Sequence, residues 1–175
     1  MIETGRLILR PWREDDLAPY HAMGQDAEVM RFLGPPASWD EVRGAYDRMV
    51  ACQAEHGCCF WAIERRADAR FLGFCGVRPG RRPMEGEIEI GWRLARDAWG
   101  QGYAREAAQA SLDWGWAHLD APTIAAVTVP ANVRSWGLME RLGMTRYPDE
   151  DFDHPDVPDG SPLKRHILYR IGRPA

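Results

Sequence analysis

The chain has 175 residues, 45% of them hydrophobic, which suits one folded globule with a single core and excludes a disordered segment. A net charge of −4 gives no general attraction for nucleic acid. No apolar run approaches the roughly 20 residues that span a bilayer, and the start Met1-Ile2-Glu3-Thr4-Gly5-Arg6 lacks the basic-then-apolar order of a secretory signal. The four cysteines, Cys52, Cys58, Cys59 and Cys75, form neither a C-x-x-C pair nor a zinc or disulfide pattern. Reduced thiols in a cytoplasmic protein without a metal site are the expectation.

Arg6 to Arg10 reads as a first strand, stopped by Pro11. Glu14-Asp15-Asp16 opens a helix that runs to about Met23, and Ala27 to Leu33 suits a second short helix. Ser38 with Glu41 forms a capping box for a helix from Trp39 to about Glu55. Cys59–Glu64 and Phe71–Arg78 read as an antiparallel hairpin, and Glu87–Leu94 as the next strand. A glycine-rich turn, Trp99-Gly100-Gln101-Gly102-Tyr103-Ala104, leads to a helix over Arg105–His118 with small residues at Ala104, Ala108, Ser111 and Gly115 on one face. Ile124–Val129 is a buried strand, Asn132 caps a helix ending at Gly143, and Met144–Tyr147 and His166–Ile171 are the last strands. The loop from Pro148 to Pro162 is rich in proline and acid, long enough to be functional. The order is that of an α/β protein around one mixed sheet, organised as a single domain over residues 1–175.

A glycine turn that leaves a strand and opens a helix aims free N–H groups at one point, where the helix dipole is also positive. This is an anion site, suited to phosphate, with an ordinary two-glycine turn as the alternative. The P-loop and dinucleotide fingerprints are both absent.

The run Trp99-Gly100-Gln101-Gly102-Tyr103-Ala104-x-Glu106-Ala107, with Asn132-x-x-Ser135 and Leu142-Gly143-Met144, resembles the GNAT superfamily of N-acetyltransferases. Thr4-x-Arg6-Leu7-x-Leu9-Arg10 and His166-x-Leu168-Tyr169-Arg170 are similar to its branch of ribosomal-protein N-terminal acetyltransferases. The resemblance implies a mostly antiparallel sheet of about seven strands flanked by about four helices and splayed between the fourth and fifth strands. It implies acetyl-CoA as cosubstrate, with the pyrophosphate on the amides of Trp99, Gly100, Gln101, Gly102, Tyr103 and Ala104. The pantetheine arm then lies along Trp92, Arg93 and Leu94, where a backbone N–H polarises the thioester carbonyl, and Asn132 is both helix cap and CoA contact. One departure is Asp97, where the family often has Arg or Gln; Arg96 or Arg105 are the substitutes for a side-chain phosphate contact.

Acyl transfer needs a neutral amine, hence a base. Glu87 and Glu89 lie on one face of their strand with Gly91 and Arg93, while Ile88, Ile90 and Trp92 take the other. Either carboxylate suits the task, Glu89 being nearer the thioester end; two solvated or salt-bridged carboxylates are the alternative. Ser135 lies on the inward stripe with Leu138, Met139 and Leu142 and is the candidate thiolate partner, because the residue where the family often has Tyr is Met139. The acidic loop would attract a cationic amine, or be simply solvated, and its His154 ranks lower as a base. The expected activity is direct acetyl transfer to a primary amine, a small molecule or a protein N-terminus, in a ternary complex. A non-catalytic acyl-CoA-binding module of the same fold is the alternative. The expected partners are the amine acceptor and, as one option for the oligomeric state, a second copy in a homodimer, with no nucleic acid and no membrane.

Overall fold

A computed structural model describes residues 1–174. In chain order it holds β1 (Ile2–Glu3), β2 (Leu7–Arg10), α1 (Leu17–Gln25), α2 (Ala27–Met30), α3 (Trp39–His56), β3 (Phe60–Arg65), β4 (Arg70–Pro79) and β5 (Ile88–Leu94). Then come α4 (Tyr103–His118), β6 (Thr123–Thr128), α5 (Val133–Arg141), β7 (Thr145–Arg146), β8 (Phe152–Asp153) and β9 (Arg165–Gly172). The strands form one sheet in the order β1-β2-β3-β4-β5-β6-β9-β7, with β8 also on β9. Every pairing is antiparallel except β5 with β6. Nine strands and five helices stand beside the about seven and about four that the resemblance implies, in the same fold. The additional strands β1 and β8 are two residues long, too short to show a two-residue period.

Local chemistry explains the boundaries. The Ser38 hydroxyl accepts from the Glu41 N–H (3.2 Å), and the Glu41 carboxylate accepts from the Ser38 N–H (2.7 Å), which starts α3 as the capping box predicts. Gly57, in the left-handed region at φ 71°, ends it. The short helix at Ala27 stops at Met30 rather than Leu33. Its cap is Asp26, whose carboxylate accepts from Glu28 and Val29.

The small-residue face of α4 lies on the sheet. A Cβ on Gly115 would sit 3.1 Å from Ile124 Cδ1, so a larger residue there would push the helix off. Ala108 and Ser111 are fully buried against the same face. Helices α1 and α3 pack on the opposite face, where Trp12, Tyr20, Phe60 and Phe74 form an aromatic cluster.

The parallel pairing of β5 with β6 lasts two steps, Ile88 beside Ile124 and Glu89 beside Ala125. Beyond Glu89 the two strands diverge, giving the splay expected between the fourth and fifth strands. Residues Gly91 to Leu94 therefore run along an edge that β6 does not cover.

Candidate active site

The direction of each main-chain group on the splayed edge follows from the β4–β5 ladder. The Ala95 N–H donates to the Leu72 carbonyl (2.8 Å) and the Gly80 N–H to the Glu87 carbonyl (2.7 Å). In an antiparallel pair this alternates strictly, so Glu89, Gly91 and Arg93 turn their main-chain groups to β4. Ile90, Trp92 and Leu94 turn theirs into the splay. The main chain of Arg93 is thus not on the cleft edge, and the parallel pairing of Glu89 with Ala125 uses the Ile90 N–H, so Trp92 and Leu94 are the residues that turn free N–H groups to the cleft. The bonding alternation of any antiparallel strand excludes a run of three consecutive residues on one edge. The Leu94 carbonyl is taken by the Trp99 indole N–H (2.8 Å), which ties the glycine turn to the end of β5.

The turn itself is built for an anion. Gly100 and Gly102 sit at φ 74° and 80°, a region closed to most side chains, and Gly102 caps α4. None of the main-chain N–H groups from Gly100 to Arg105 has a partner among the described residues; the first paired one is Glu106, bonded to the Gly102 carbonyl. Six free donors and a 16-residue helix dipole therefore converge at one end of the splay. Arg96 and Arg105 are exposed beside it, Asp97 is neutralised by Arg70, and the Arg134 guanidinium lies 4.9 Å over the Trp99 ring.

Two sequence motifs at opposite ends of the chain meet here. The Glu106 carboxylate accepts from the Thr4 hydroxyl (2.6 Å), the Arg6 main-chain N–H (2.9 Å) and Arg6 Nε (2.7 Å). Arg6 Nη1 also donates to the Gln101 carbonyl (2.8 Å) within the turn. Burial pushes the Glu106 carboxyl up, but the hydrogen bonds from Thr4 and Arg6 outweigh it and hold the group below the usual carboxylate range. Arg10, at the end of the same motif, makes a buried two-bond pair with Asp16 (2.8 Å each) and a third bond to Glu64 (2.7 Å). The Thr4-to-Arg10 motif is therefore a fastener: one arginine fixes the turn, the other fixes the entry to α1.

The two candidate bases differ in what remains free. Both Glu87 oxygens are engaged by Arg170, at 2.6 and 2.9 Å, and Arg170 also pairs with Glu150. Glu89 uses only Oε2, which accepts from Arg78 at 3.0 and 3.2 Å; Oε1 has no partner among the described residues. Both carboxylates are ion-paired, as the alternative reading held, yet Glu89 keeps a free oxygen.

Across the splay, Ser135 is half-buried in the first turn of α5, with Leu138, Met139 and Leu142 buried behind it. Its hydroxyl has no hydrogen-bond partner among the described residues, so it does not satisfy the helix backbone. Asn132 occupies the N-cap position without making a side-chain cap; its Nδ2 donates instead to the Thr128 hydroxyl (3.1 Å). The expected cap is thus positional only, because the side chain is turned back to the end of β6.

Most acids of the loop after Pro148 are ion-paired, with Asp149 and Asp156 left exposed. Asp151 pairs with Arg146 (2.6 Å), Asp153 with Arg165 (3.3 Å) and Asp159 with Lys164 (2.6 Å). Strand β8 anchors the loop to β9, and Phe152 stacks on His166 at 5.7 Å. Burial lowers His166 from the ordinary histidine value, so its ring is neutral at pH 7. His154 spends Nδ1 on the Asp156 N–H (3.2 Å).

All four thiols are free. Burial raises Cys58 to about 11 and Cys75 to about 12, and pushes Cys59 and Cys52 up as well. None of them offers a thiolate at neutral pH. No group of three or more metal-ligating side chains occurs among the described residues. Among the described residues no helix is long and apolar enough to cross a membrane.

A mixed sheet splayed at its parallel pair, with a glycine-capped anion turn at the mouth, is the architecture of a transferase that holds an acyl-CoA arm between two strands. The family described as acetyltransferase (GNAT) domain matches residues 6–145, and the chain belongs to that family of acyl-CoA-dependent acyltransferases. Among relatives, the uncharacterized protein YkkB of Bacillus subtilis (strain 168) is 31% identical over 142 residues, 81% of this chain and 83% of YkkB. The uncharacterized N-acetyltransferase YnaD of the same organism is 28% identical over 176 residues, covering 97% and 95% of the two chains. The crystal structure of an acetyltransferase from Agrobacterium tumefaciens str. C58 superposes with a TM-score of 0.79 at 28% identity, over 97% of this chain and 92% of that one.

Proposed function

We propose that the chain is an N-acetyltransferase that moves the acetyl group of acetyl-CoA to a primary amine by direct transfer in a ternary complex. The observation that carries this reading is the row of unpartnered amides from Gly100 to Arg105, opening on the uncovered edge of β5. In it, the amides from Gly100 to Arg105 receive the pyrophosphate, the Trp99 N–H expected among them being bonded to the Arg96 carbonyl (3.1 Å), and the pantetheine pairs with the main chain of Trp92 and the N–H of Leu94. One of their N–H groups faces the oxyanion. Asn132 keeps Oδ1 for the cosubstrate.

Glu89, through its free Oε1, takes the ammonium proton directly or through water; Glu87 holds Arg170 in place. Removing that proton exposes the nitrogen lone pair, which attacks the thioester carbonyl. The tetrahedral adduct collapses with loss of CoA thiolate, and the second nitrogen proton passes to that sulfur, leaving a neutral amide and CoA thiol. The Ser135 hydroxyl hydrogen-bonds the departing sulfur, a positioning role suited to a weak acid. The absence of any thiolate at neutral pH supports transfer without a covalent enzyme intermediate. Reduced, buried thiols also support a cytoplasmic location.

The test is amine-dependent release of CoA thiol from acetyl-CoA, together with calorimetric binding of acetyl-CoA. Saturable release with at least one primary amine supports the reading. Binding without turnover on a broad amine panel supports the non-catalytic module, and no binding removes both.

A further inference from the structure

Carboxylates in this chain that meet a guanidinium squarely use both oxygens. Glu14, Asp16, Asp68, Glu87 and Glu150 each take two hydrogen bonds from one arginine, one on either oxygen. The two-oxygen fork is the strong form of such a pair. Glu106 takes Nε and Nη2 of Arg6 on Oε2 alone, but its Oε1 is filled by the Thr4 hydroxyl and the Arg6 main-chain N–H. Glu89 also takes two donors on Oε2 alone, Nε and Nη2 of Arg78, and its Oε1 has no partner among the described residues. Its neighbour on the same face of β5 shows the contrast. Arg170 uses the same two nitrogens on Glu87 and occupies both oxygens.

The position of Arg78 is set by more than its carboxylate. Arg78 and Glu89 are direct partners across the β4–β5 ladder. The Arg78 guanidinium lies 4.3 Å over the Phe60 ring, which stacks in parallel on Phe74 at 5.8 Å. The Phe60 ring in turn lies against Gly91, where a Cβ would come within 2.6 Å of Cζ. The aromatic face therefore holds the cation in place independently of Glu89. The Arg78 side chain is 17% exposed and that of Glu89 16%, so the carboxylate depends on this cation rather than on bulk water to offset its charge. Arg78 reaches Glu89 from β4, whereas the splay opens on the other side of β5, toward β6.

We propose that Arg78 is a positioning residue for the transfer: it orients and counter-charges Glu89 through Oε2 and so keeps Oε1 open for the acceptor ammonium. This rests on the reading of Glu89 as the base of an N-acetyltransferase. The proton leaves the ammonium nitrogen for Oε1, directly or through water, and its bonding pair becomes the lone pair that attacks. Arg78 touches neither cosubstrate nor reacting atoms and keeps all its protons.

The test measures kcat and the KM of acetyl-CoA for the full-length protein, Glu89→Gln, Arg78→Met, Arg78→Lys and the double variant of Arg78→Met with Glu89→Gln. The acceptor is the primary amine that releases CoA thiol fastest. The expected result is a kcat about tenfold or more lower in Arg78→Met, with the KM of acetyl-CoA unchanged. Arg78→Lys keeps the charge without the planar pair of donors and recovers part of that loss. In the Glu89→Gln background Arg78→Met lowers kcat no further, because a residue that acts through Glu89 has nothing left to act on. Full kcat in Arg78→Met overturns the inference. So does a loss of the same size with and without the Glu89 carboxylate, which is what a general loosening of the Phe60 stack produces. Failure of the underlying reading looks different, because then no amine releases CoA or Glu89→Gln keeps its full kcat, and the inference falls with it. Should Arg78→Met fail to fold, Arg78→Gln, which keeps a side-chain amide without the charge, decides in the same comparison.

Discussion

Glu106→Gln isolates the fastener beneath the anion turn. The carboxylate accepts four donors: the Thr4 hydroxyl and the Arg6 main-chain N–H at Oε1, and Arg6 Nε and Nη2 at Oε2, all at 2.6–2.9 Å. Glutamine is nearly isosteric but keeps one acceptor oxygen and turns an NH2 toward the guanidinium. The Arg6 side chain is 49% exposed, so its ion pair contributes at most about 1 kcal/mol. Each of the other two bonds loses its charge assistance, which removes about 1 kcal/mol apiece. The expected loss is roughly 2–3 kcal/mol, or about 5–10 °C in Tm for a chain of 175 residues. Thermal melts at pH 7 measure it. The pH dependence has a definite sign: the folded carboxyl titrates below its unfolded value of about 4.3. Its contribution is therefore complete above that value and is lost as pH falls through the folded one. The gap between the two proteins must close on acidification below about pH 4. A Tm within about 1 °C of the unaltered protein at pH 7 would refute the fastener, since a network worth 2 kcal/mol shifts it by at least about 4 °C.

Other consequences are equally accessible. Glu89→Gln should lower kcat about 100-fold or more with acetyl-CoA affinity unchanged, and Glu87→Gln should cost mainly stability, as read by paired kinetics and melts. Ser135→Ala should lower kcat roughly tenfold without altering acetyl-CoA binding; an unchanged kcat would remove it from the mechanism. Gly91→Ala places a Cβ 2.6 Å from Phe60 Cζ, whose ring is held between Phe74 and Arg78, so overpacking should cost about 1–3 kcal/mol in chemical denaturation. His166 has a folded pKa depressed by burial, so the unfolded chain binds the extra proton below about pH 6.5. Stability should decline as pH falls from about 6.5 toward the lower folded value. That part of the decline should vanish in His166→Gln.

The elements were readable because they depend on neighbours in the chain. Ser38 with Glu41, the alternation of Glu87 to Leu94 and the small-residue face of α4 are local patterns, and each formed as its pattern requires. The site was readable where a motif dictates backbone shape, as at Gly100 and Gly102. Charge pairing was not. Arg6 and Glu106 are 100 residues apart, Glu87 and Arg170 83 apart, and such partners are chosen by the topology of the sheet rather than by spacing. The acidic loop looked like an electrostatic lure for the same reason: its cations, Arg146, Lys164 and Arg165, come mainly from β7 and the start of β9.

The most direct measurement is calorimetric titration of acetyl-CoA into the protein and into Gly102→Val, with acetyl-pantetheine, which lacks the diphosphate and the phosphoadenosine of CoA, as the control ligand. The account predicts saturable binding of acetyl-CoA, a loss of roughly tenfold or more in Gly102→Val, and weak binding of acetyl-pantetheine to both proteins alike. Equal binding of the two ligands, or acetyl-CoA affinity untouched by Gly102→Val, would show that the turn does not hold the phosphates and would contradict the account.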